Sequence, residues 1–237
     1  MSWNVVPMAE LVLALDVPRG SDALRLLDQL PDLRWVKLGP ILMTREGPAL
    51  VRELTGRGLQ VFLDLKWHDI PNTVAGAVTA AREIGVAMAT VHTLGGKAML
   101  EAAAIAAAGQ LALVGVTVLT SHDAASYARA TGRSEVDLKR EVERQGVIAA
   151  EAGLRGVVCS PLEVSLLRRR LGPELYIVVP GIRRRSDPSA DQARVATAKD
   201  AVSNGATHLV VGRPVLQAAD PAAAFGEFMK EAQCIGS

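Results

Sequence analysis

Short apolar runs alternate with longer stretches of helical character from one end of the chain to the other. Eight of the runs read as β-strands: Leu11–Asp16, Trp35–Gly39, Leu59–Leu65, Val86–His92, Leu111–Leu119, Gly156–Cys159, Leu175–Val179 and His208–Gly212. Most are apolar almost throughout instead of alternating apolar and polar, the pattern of a parallel sheet covered on both sides. Between them, Ala98–Ala108 and Glu135–Ala152 read as helices closed by Gly109 and Gly153, glycine supplying the left-handed residue that stops a helix. Eight β-then-α units in 237 residues predict an α/β fold, a (β/α)8 TIM barrel forming one domain over residues 1–237. A doubly wound open sheet has the same periodicity. No strand, however, is followed by GxGxxG or GxxxxGK[ST], the phosphate loops that such sheets often carry.

Hydrophobic residues make up 49% of the chain and aromatics only 3%, so Ala, Val, Leu and Ile must fill the core, which suits helices packed closely on a sheet. A net charge of +1 and no long basic stretch argue against a nucleic-acid partner. Arg168-Arg169-Arg170 reads as a solvated helix end. Cys159 and Cys234 fit neither CxxC nor a metal spacing and read as reduced thiols. His68, His92, His122 and His208 form no metal-binding set; His92 reads as a hydrogen-bonded structural residue and His68 as one that orients its loop. The opening MSWNVVPMAE lacks the charged and apolar regions of a signal peptide, and no apolar run reaches the roughly 20 residues that span a bilayer. A cytoplasmic protein that needs no metal or cofactor and contacts no membrane is expected.

In a barrel, reactive groups sit at the C-terminal ends of the strands, so charge at those ends is informative. The first run ends in Asp16, the second carries Lys37, and the third passes from Val61-Phe62-Leu63 into Asp64-Leu65-Lys66-Trp67-His68-Asp69. Alternation puts Asp64 and Lys66 on one side of the strand, with Asp69 in the loop beyond. Charges there lose hydration and persist only when paired; at an effective dielectric near 20, opposite charges about 4 Å apart attract by roughly 4 kcal/mol. Asp64–Lys66 alone is equally a structural salt bridge plugging the barrel end, whereas Asp16 and Lys37 beside it favour a reactive array.

The loops after strands seven and eight of a barrel commonly bind phosphate. Here they read Pro180-Gly181-Ile182-Arg183 and Gly212-Arg213-Pro214. Glycine lets backbone N–H groups approach an anion, and arginine offers a forked donor. The polar stretch Arg183–Asp191, with Pro188, has the character of a lid.

The segment Phe62–Val74, FLDLKWHDIPNTV, resembles the signature of the orotidine 5′-phosphate decarboxylase family, of bacterial type, whose core is Asp-x-Lys-x-x-Asp-Ile-x-Asn-Thr. The likeness extends in order through LALDV (Leu13–Val17), VKLG (Val36–Gly39), VHTLGG (Val91–Gly96), LTS (Leu119–Ser121), PGIR (Pro180–Arg183), Asp191-Gln192 and VVGRPVLQAADP (Val210–Pro221). It implies a cofactor-independent lyase that converts orotidine 5′-phosphate to UMP and carbon dioxide, the last step of de novo pyrimidine nucleotide biosynthesis. It further implies that Lys66 protonates C6 and that Asp64 lies beside the departing carboxylate, acting by repulsion or by positioning Lys66. Lys37 and Asp69 complete the network. Asp16 takes the ribose hydroxyls, Thr120 the pyrimidine, and Pro180, Arg183, Gly212 and Arg213 the phosphate side, with Gln192 linking lid, phosphate and base. Asp69 and Thr73 are implied to act across a homodimer interface.

Ala190 and Thr197-Ala198 depart from the family's Gly before Asp-Gln and its later Thr-Pro, which bears on the lid and not on the chemistry. Arg184 and Arg185 read as solvated. Two other readings stay open. One is a metal-dependent sugar-phosphate enzyme on a related barrel, such as 3-keto-L-gulonate 6-phosphate decarboxylase or hexulose phosphate synthase. The other is a non-catalytic barrel that binds a phosphorylated ligand.

Overall fold

Because the strand runs are apolar on both faces, alternate residues divide between two cores. Val12, Ala14, Phe62, Met88, Val114, Val178 and Val210 gather in one cluster, while their neighbours Leu11, Leu13, Val61, Leu63, Ala89, Leu113, Ile177, Val179, Leu209 and Val211 join another that takes in the helices. In the computed structural model, which describes residues 9–184 and 195–233, the first cluster fills a barrel and the second lies between barrel and helices. The strands are β1 (Glu10–Ala14), β2 (Trp35–Leu38), β3 (Gln60–Trp67), β4 (Met88–His92), β5 (Ala112–Val116), β6 (Gly156–Val158), β7 (Tyr176–Val179) and β8 (His208–Val211). They pair in parallel in chain order and close through β8 on β1. The predicted (β/α)8 barrel is the fold, and the open sheet is excluded.

The helices on the outside are α1 (Gly20–Leu27), α2 (Pro40–Gly56), α3 (Pro71–Glu83), α4 (Gly96–Ala107), α5 (Ala124–Ala130), α6 (Leu138–Glu151), α7 (Val164–Leu171), α8 (Ala198–Ser203), α9 (Arg213–Leu216) and α10 (Pro221–Gln233). Gly109 and Gly153 take φ of 68° and 83° beyond α4 and α6, as a helix stop requires. The expected helix from Glu135 starts later, because Asp137 caps it by accepting from the backbone N–H groups of Lys139 and Arg140. Small residues set the layer spacing: a Cβ on Gly146 of α6 would lie 2.7 Å from Leu167 of α7.

Two arginines expected to be solvated are not. Arg168 turns back from the last turn of α7 and donates to the carbonyls of Gly172 (2.6 Å), Leu175 (3.0 Å) and Gly205 (2.7 and 3.1 Å). The loops entering β7 and β8 leave those carbonyls without strand partners, and a guanidinium at a helix C-terminus can reach several at once. Arg169 and Arg170 are exposed as expected. Arg184 pairs with Glu227 at 2.8 Å and covers the Phe228 ring at 5.6 Å, held by α10 instead of water. Arg185, Pro188, Ala190, Asp191, Gln192 and Cys234 lie outside the described residues.

The N-terminal end of the barrel is closed by the first residues of β2, β7 and β8. The His208 ring lies 5.3 Å from Trp35 and 4.7 Å from Tyr176, with Nδ1 at 2.9 Å from the Thr207 hydroxyl. Burial pushes the His208 pKa down from 6.5 to about 4. Above about pH 6.5 the ring is neutral folded or unfolded; as pH falls through 6.5 towards 4, only the unfolded chain takes up the proton, so stability is lost on acidification. The full effect is about 3 kcal/mol, from roughly 1.4 kcal/mol per pKa unit. Urea unfolding should therefore show wild type losing about 2–3 kcal/mol more than His208→Gln between about pH 7 and pH 4.5. An identical difference between the two proteins at both pH values would remove His208 from this account.

Candidate active site

At the opposite end of the barrel, the C-terminal ends of the strands surround a cavity of about 220 Å³. Asp16, Lys37, Asp64, Lys66, Thr120, Pro180, Gly181, Arg183, Gly212 and Arg213 all line it. These include every predicted site residue except Asp69, Thr73 and Gln192. Asp69 and Thr73 are exposed on the loop after β3 and the first turn of α3, and Asp69 accepts from the Ile70 N–H at 2.6 Å.

The charges form one array. Asp64 lies 2.9 Å from Lys66 Nζ through Oδ1 and 3.4 Å from Lys37 Nζ through Oδ2, while Lys37 also reaches Asp16 at 3.3 Å. Burial alone would raise the Asp64 pKa; the ammoniums of Lys37 and Lys66, with hydrogen bonds from Lys66 and Thr90, outweigh it and hold the carboxyl below its ordinary range. Asp64 is thus a carboxylate whose charge is matched on both oxygens.

Alternation along β3 does not by itself deliver this geometry. Lys66 has a left-handed φ of 53°, and the β3–β4 register shifts between Leu63 and Trp67. A non-glycine residue there is strained by about 1–2 kcal/mol. Thr90 of β4 compensates: its hydroxyl accepts from the Lys66 backbone N–H at 2.7 Å and donates to Asp64 Oδ1 at 3.1 Å. Sequence reasoning missed Thr90. Its signal was a hydroxyl within the apolar run Met88-Ala89-Thr90-Val91, on the barrel-facing side with Met88 by alternation. Cys159, a buried residue, also lines the cavity.

On the β7–β8 side, Gly181 has φ of 81°, a conformation that favours glycine. Arg183 is buried and donates to the Ile182 carbonyl at 2.9 Å. Gly212 runs beside β1, where a Cβ would meet Ala14 Cβ at 3.4 Å and Asp16 Oδ2 at 3.8 Å, ordinary contact distances. His92 does not line the cavity; its Nδ1 accepts from the Leu94 N–H at 3.3 Å and its ring stacks on His68 at 5.5 Å. Burial, then the nearby His68 and Lys66, push its pKa down to about 4. His92 is thus the hydrogen-bonded structural residue expected. Among the described residues, no group of three or more His, Cys, Asp and Glu is placed to hold a metal ion.

Barrel and mouth together define the class, a (β/α)8-barrel enzyme. The pattern of the Orotidine 5′-phosphate decarboxylase / HUMPS family matches residues 9–228. The chain is 48% identical over 234 residues to the Orotidine 5′-phosphate decarboxylase of Halorhodospira halophila, covering 95% of this chain and 97% of that protein. It is 46% identical over 228 residues to that of Moorella thermoacetica, covering 91% and 88%. The crystal structure of Orotidine 5′-phosphate decarboxylase from Lactobacillus acidophilus superposes with a TM-score of 0.85 at 33% identity, over 95% of this chain and all of that one. The chain belongs to the Orotidine 5′-phosphate decarboxylase / HUMPS family.

Proposed function

We propose that this chain decarboxylates orotidine 5′-phosphate to UMP and carbon dioxide, the last step of de novo pyrimidine nucleotide biosynthesis. The observation that carries the reading is Asp64 held between Lys37 and Lys66 at the rim of a cavity that also presents Arg183 and Arg213. When the C6–carboxylate bond breaks, its electron pair stays on C6, where the ring delocalises it poorly. Stabilisation must then be electrostatic and already in place, on the order of 20 kcal/mol for a barrier this high. The Lys66 ammonium favours the developing charge and supplies the proton that ends on C6.

Asp16, half-exposed at the end of β1, accepts from the ribose hydroxyls, and Thr120 faces the pyrimidine. Pro180, Arg183, Gly212 and Arg213, together with Gln192, take the phosphate, so that binding energy from a group that does not react lowers the barrier. The active form is a homodimer in which Asp69 and Thr73 complete the partner's site. Ile41, Ile70 and Leu94 support this interface, because they are 54%, 66% and 41% exposed on the segments following β2, β3 and β4, Ile70 next to Asp69 in the chain. The near-neutral net charge and the absence, among the described residues, of a helix long and apolar enough to cross a membrane fit a cytoplasmic enzyme that handles a small nucleotide.

The rival within the family is a metal-dependent sugar-phosphate reaction. The Ile70-Pro71-Asn72-Thr73 continuation and the LTS segment favour the nucleotide, as do the names of the relatives. Following the ultraviolet absorbance of orotidine 5′-phosphate with purified protein in EDTA tests the reading. Rapid conversion to UMP is expected. No conversion by demonstrably folded dimer would overturn it and direct attention to metal-dependent sugar phosphates.

A further inference from the structure

Thr93, Glu141 and Gln145 are buried polar residues outside the catalytic array, and they belong to one hydrogen-bonded cluster. Glu141 on α6 accepts from Arg144 (2.7 and 3.2 Å), Arg133 (3.1 Å), Gln145 Nε2 (2.8 Å) and the Tyr127 hydroxyl of α5 (3.1 Å). Gln145 Nε2 also reaches the Tyr127 oxygen at 2.8 Å. On its other side, Gln145 Oε1 lies 2.7 Å from the Thr93 hydroxyl, which sits 2.8 Å from the Val116 carbonyl at the end of β5.

This cluster closes a loop. The chain leaves the barrel at Val116, passes through Thr120 on the cavity wall, forms α5, and is tied back through Tyr127, Gln145 and Thr93 to the same Val116. Little slack lies between Thr120 and Tyr127. His122 N–H donates to the Leu119 carbonyl at 3.0 Å, Asp123 and Ser126 form a reciprocal cap at the start of α5, and the His122 ring meets Tyr127 edge-on at 5.8 Å. Apolar side chains would fill the same space without the desolvation cost of a buried carboxylate. What the polar cluster adds is direction, because hydrogen bonds, unlike apolar contacts, hold only near one geometry.

We infer that Tyr127, held by the Glu141–Gln145 cluster, is a positioning residue that sets Thr120 over the cavity to receive the pyrimidine. This rests on the nucleotide reading above. Tyr127 touches no reacting atom, so its loss weakens nucleotide binding and leaves the Lys66 chemistry in place.

The test is a double-mutant cycle on orotidine 5′-phosphate turnover with wild type, Tyr127→Phe, Thr120→Ala and the double variant. Tyr127→Phe is expected to raise KM about tenfold with kcat within about twofold, Thr120→Ala to lower kcat/KM at least about tenfold, and the double variant to be no worse than Thr120→Ala alone. A merely structural hydroxyl would lower the Tm of Tyr127→Phe and leave KM unchanged, or give effects that add with Thr120→Ala; either result overturns the inference. Should Tyr127→Phe not fold, Arg133→Gln at the half-exposed rim loosens Glu141 without opening a cavity. It is then expected to raise KM about threefold, an increase absent when Thr120 is already Ala. Inactive wild type would withdraw the nucleotide reading and this inference together, whereas active wild type with an unchanged KM in the variant withdraws this inference alone.

Discussion

Lys66→Ala is expected to lower kcat/KM for orotidine 5′-phosphate by about 10⁵-fold or more. Two losses combine: the proton donor, which contributes typically 10²- to 10⁴-fold, and a charge aimed at the carbanion, whose counterparts elsewhere contribute about 10²- to 10³-fold. Folding should change little, because Asp64 keeps Lys37 at 3.4 Å and the Thr90 hydroxyl at 3.1 Å. The ultraviolet assay at high enzyme concentration reads the rate, and a thermal melt establishes that the variant is folded. A folded variant that keeps more than about a hundredth of wild-type activity would show that Lys66 is not the proton donor, since even the proton-transfer contribution would then be missing.

The barrel was legible in the sequence because it rests on local patterns that repeat. Runs such as Leu11–Asp16 and His208–Gly212 are apolar on both faces, and that alone predicts a sheet buried on both sides. Strand ends were less legible. The run Leu111–Leu119 is apolar throughout, yet β5 stops at Val116, because Val118, Leu119 and Thr120 line the cavity. An apolar residue at a cavity wall looks like one in a ladder. Charged residues at strand ends, Asp16, Lys37, Asp64 and Lys66, were legible because few roles exist for them in such a place. Alternation put Asp64 and Lys66 on one side, yet the structure reaches this with Lys66 in a left-handed conformation and a register shift against β4. That local exception depends on Thr90, which lies 24 residues further along the chain and became visible only through the fold. Arg168 and Arg184 were misread for the same reason, since their carbonyl, carboxylate and aromatic partners come from distant segments.

Asp64→Asn is expected to lower kcat about 10³- to 10⁴-fold while leaving the ratio of KM for orotidine 5′-phosphate to the inhibition constant of UMP unchanged. The two ligands differ by the C6 carboxylate, so the ratio isolates how the site receives that group. If Asp64 acted mainly by repelling the substrate carboxylate, neutralising it would tighten the substrate selectively, and the ratio would fall tenfold or more, equivalent to about 1.4 kcal/mol. The geometry argues for positioning. Both Asp64 oxygens are engaged, Oδ1 by Lys66 and Thr90 and Oδ2 by Lys37, and its burial is compensated well enough that the carboxyl is held below its ordinary pKa range. With Asp16 on the far side of Lys37, the array contains two ammoniums and two carboxylates. An incoming anion therefore meets an Asp64 whose charge is already matched by two lysines, even with Asp69 of the partner subunit adding a further carboxylate in the proposed dimer. Asparagine keeps the shape but removes the charge that holds two lysines side by side. Lys66 then loses the partner that fixes its Nζ, in a residue whose backbone is already strained. A rate loss at constant ligand discrimination is the signature of that misplacement, and selective tightening of the substrate would replace positioning by repulsion.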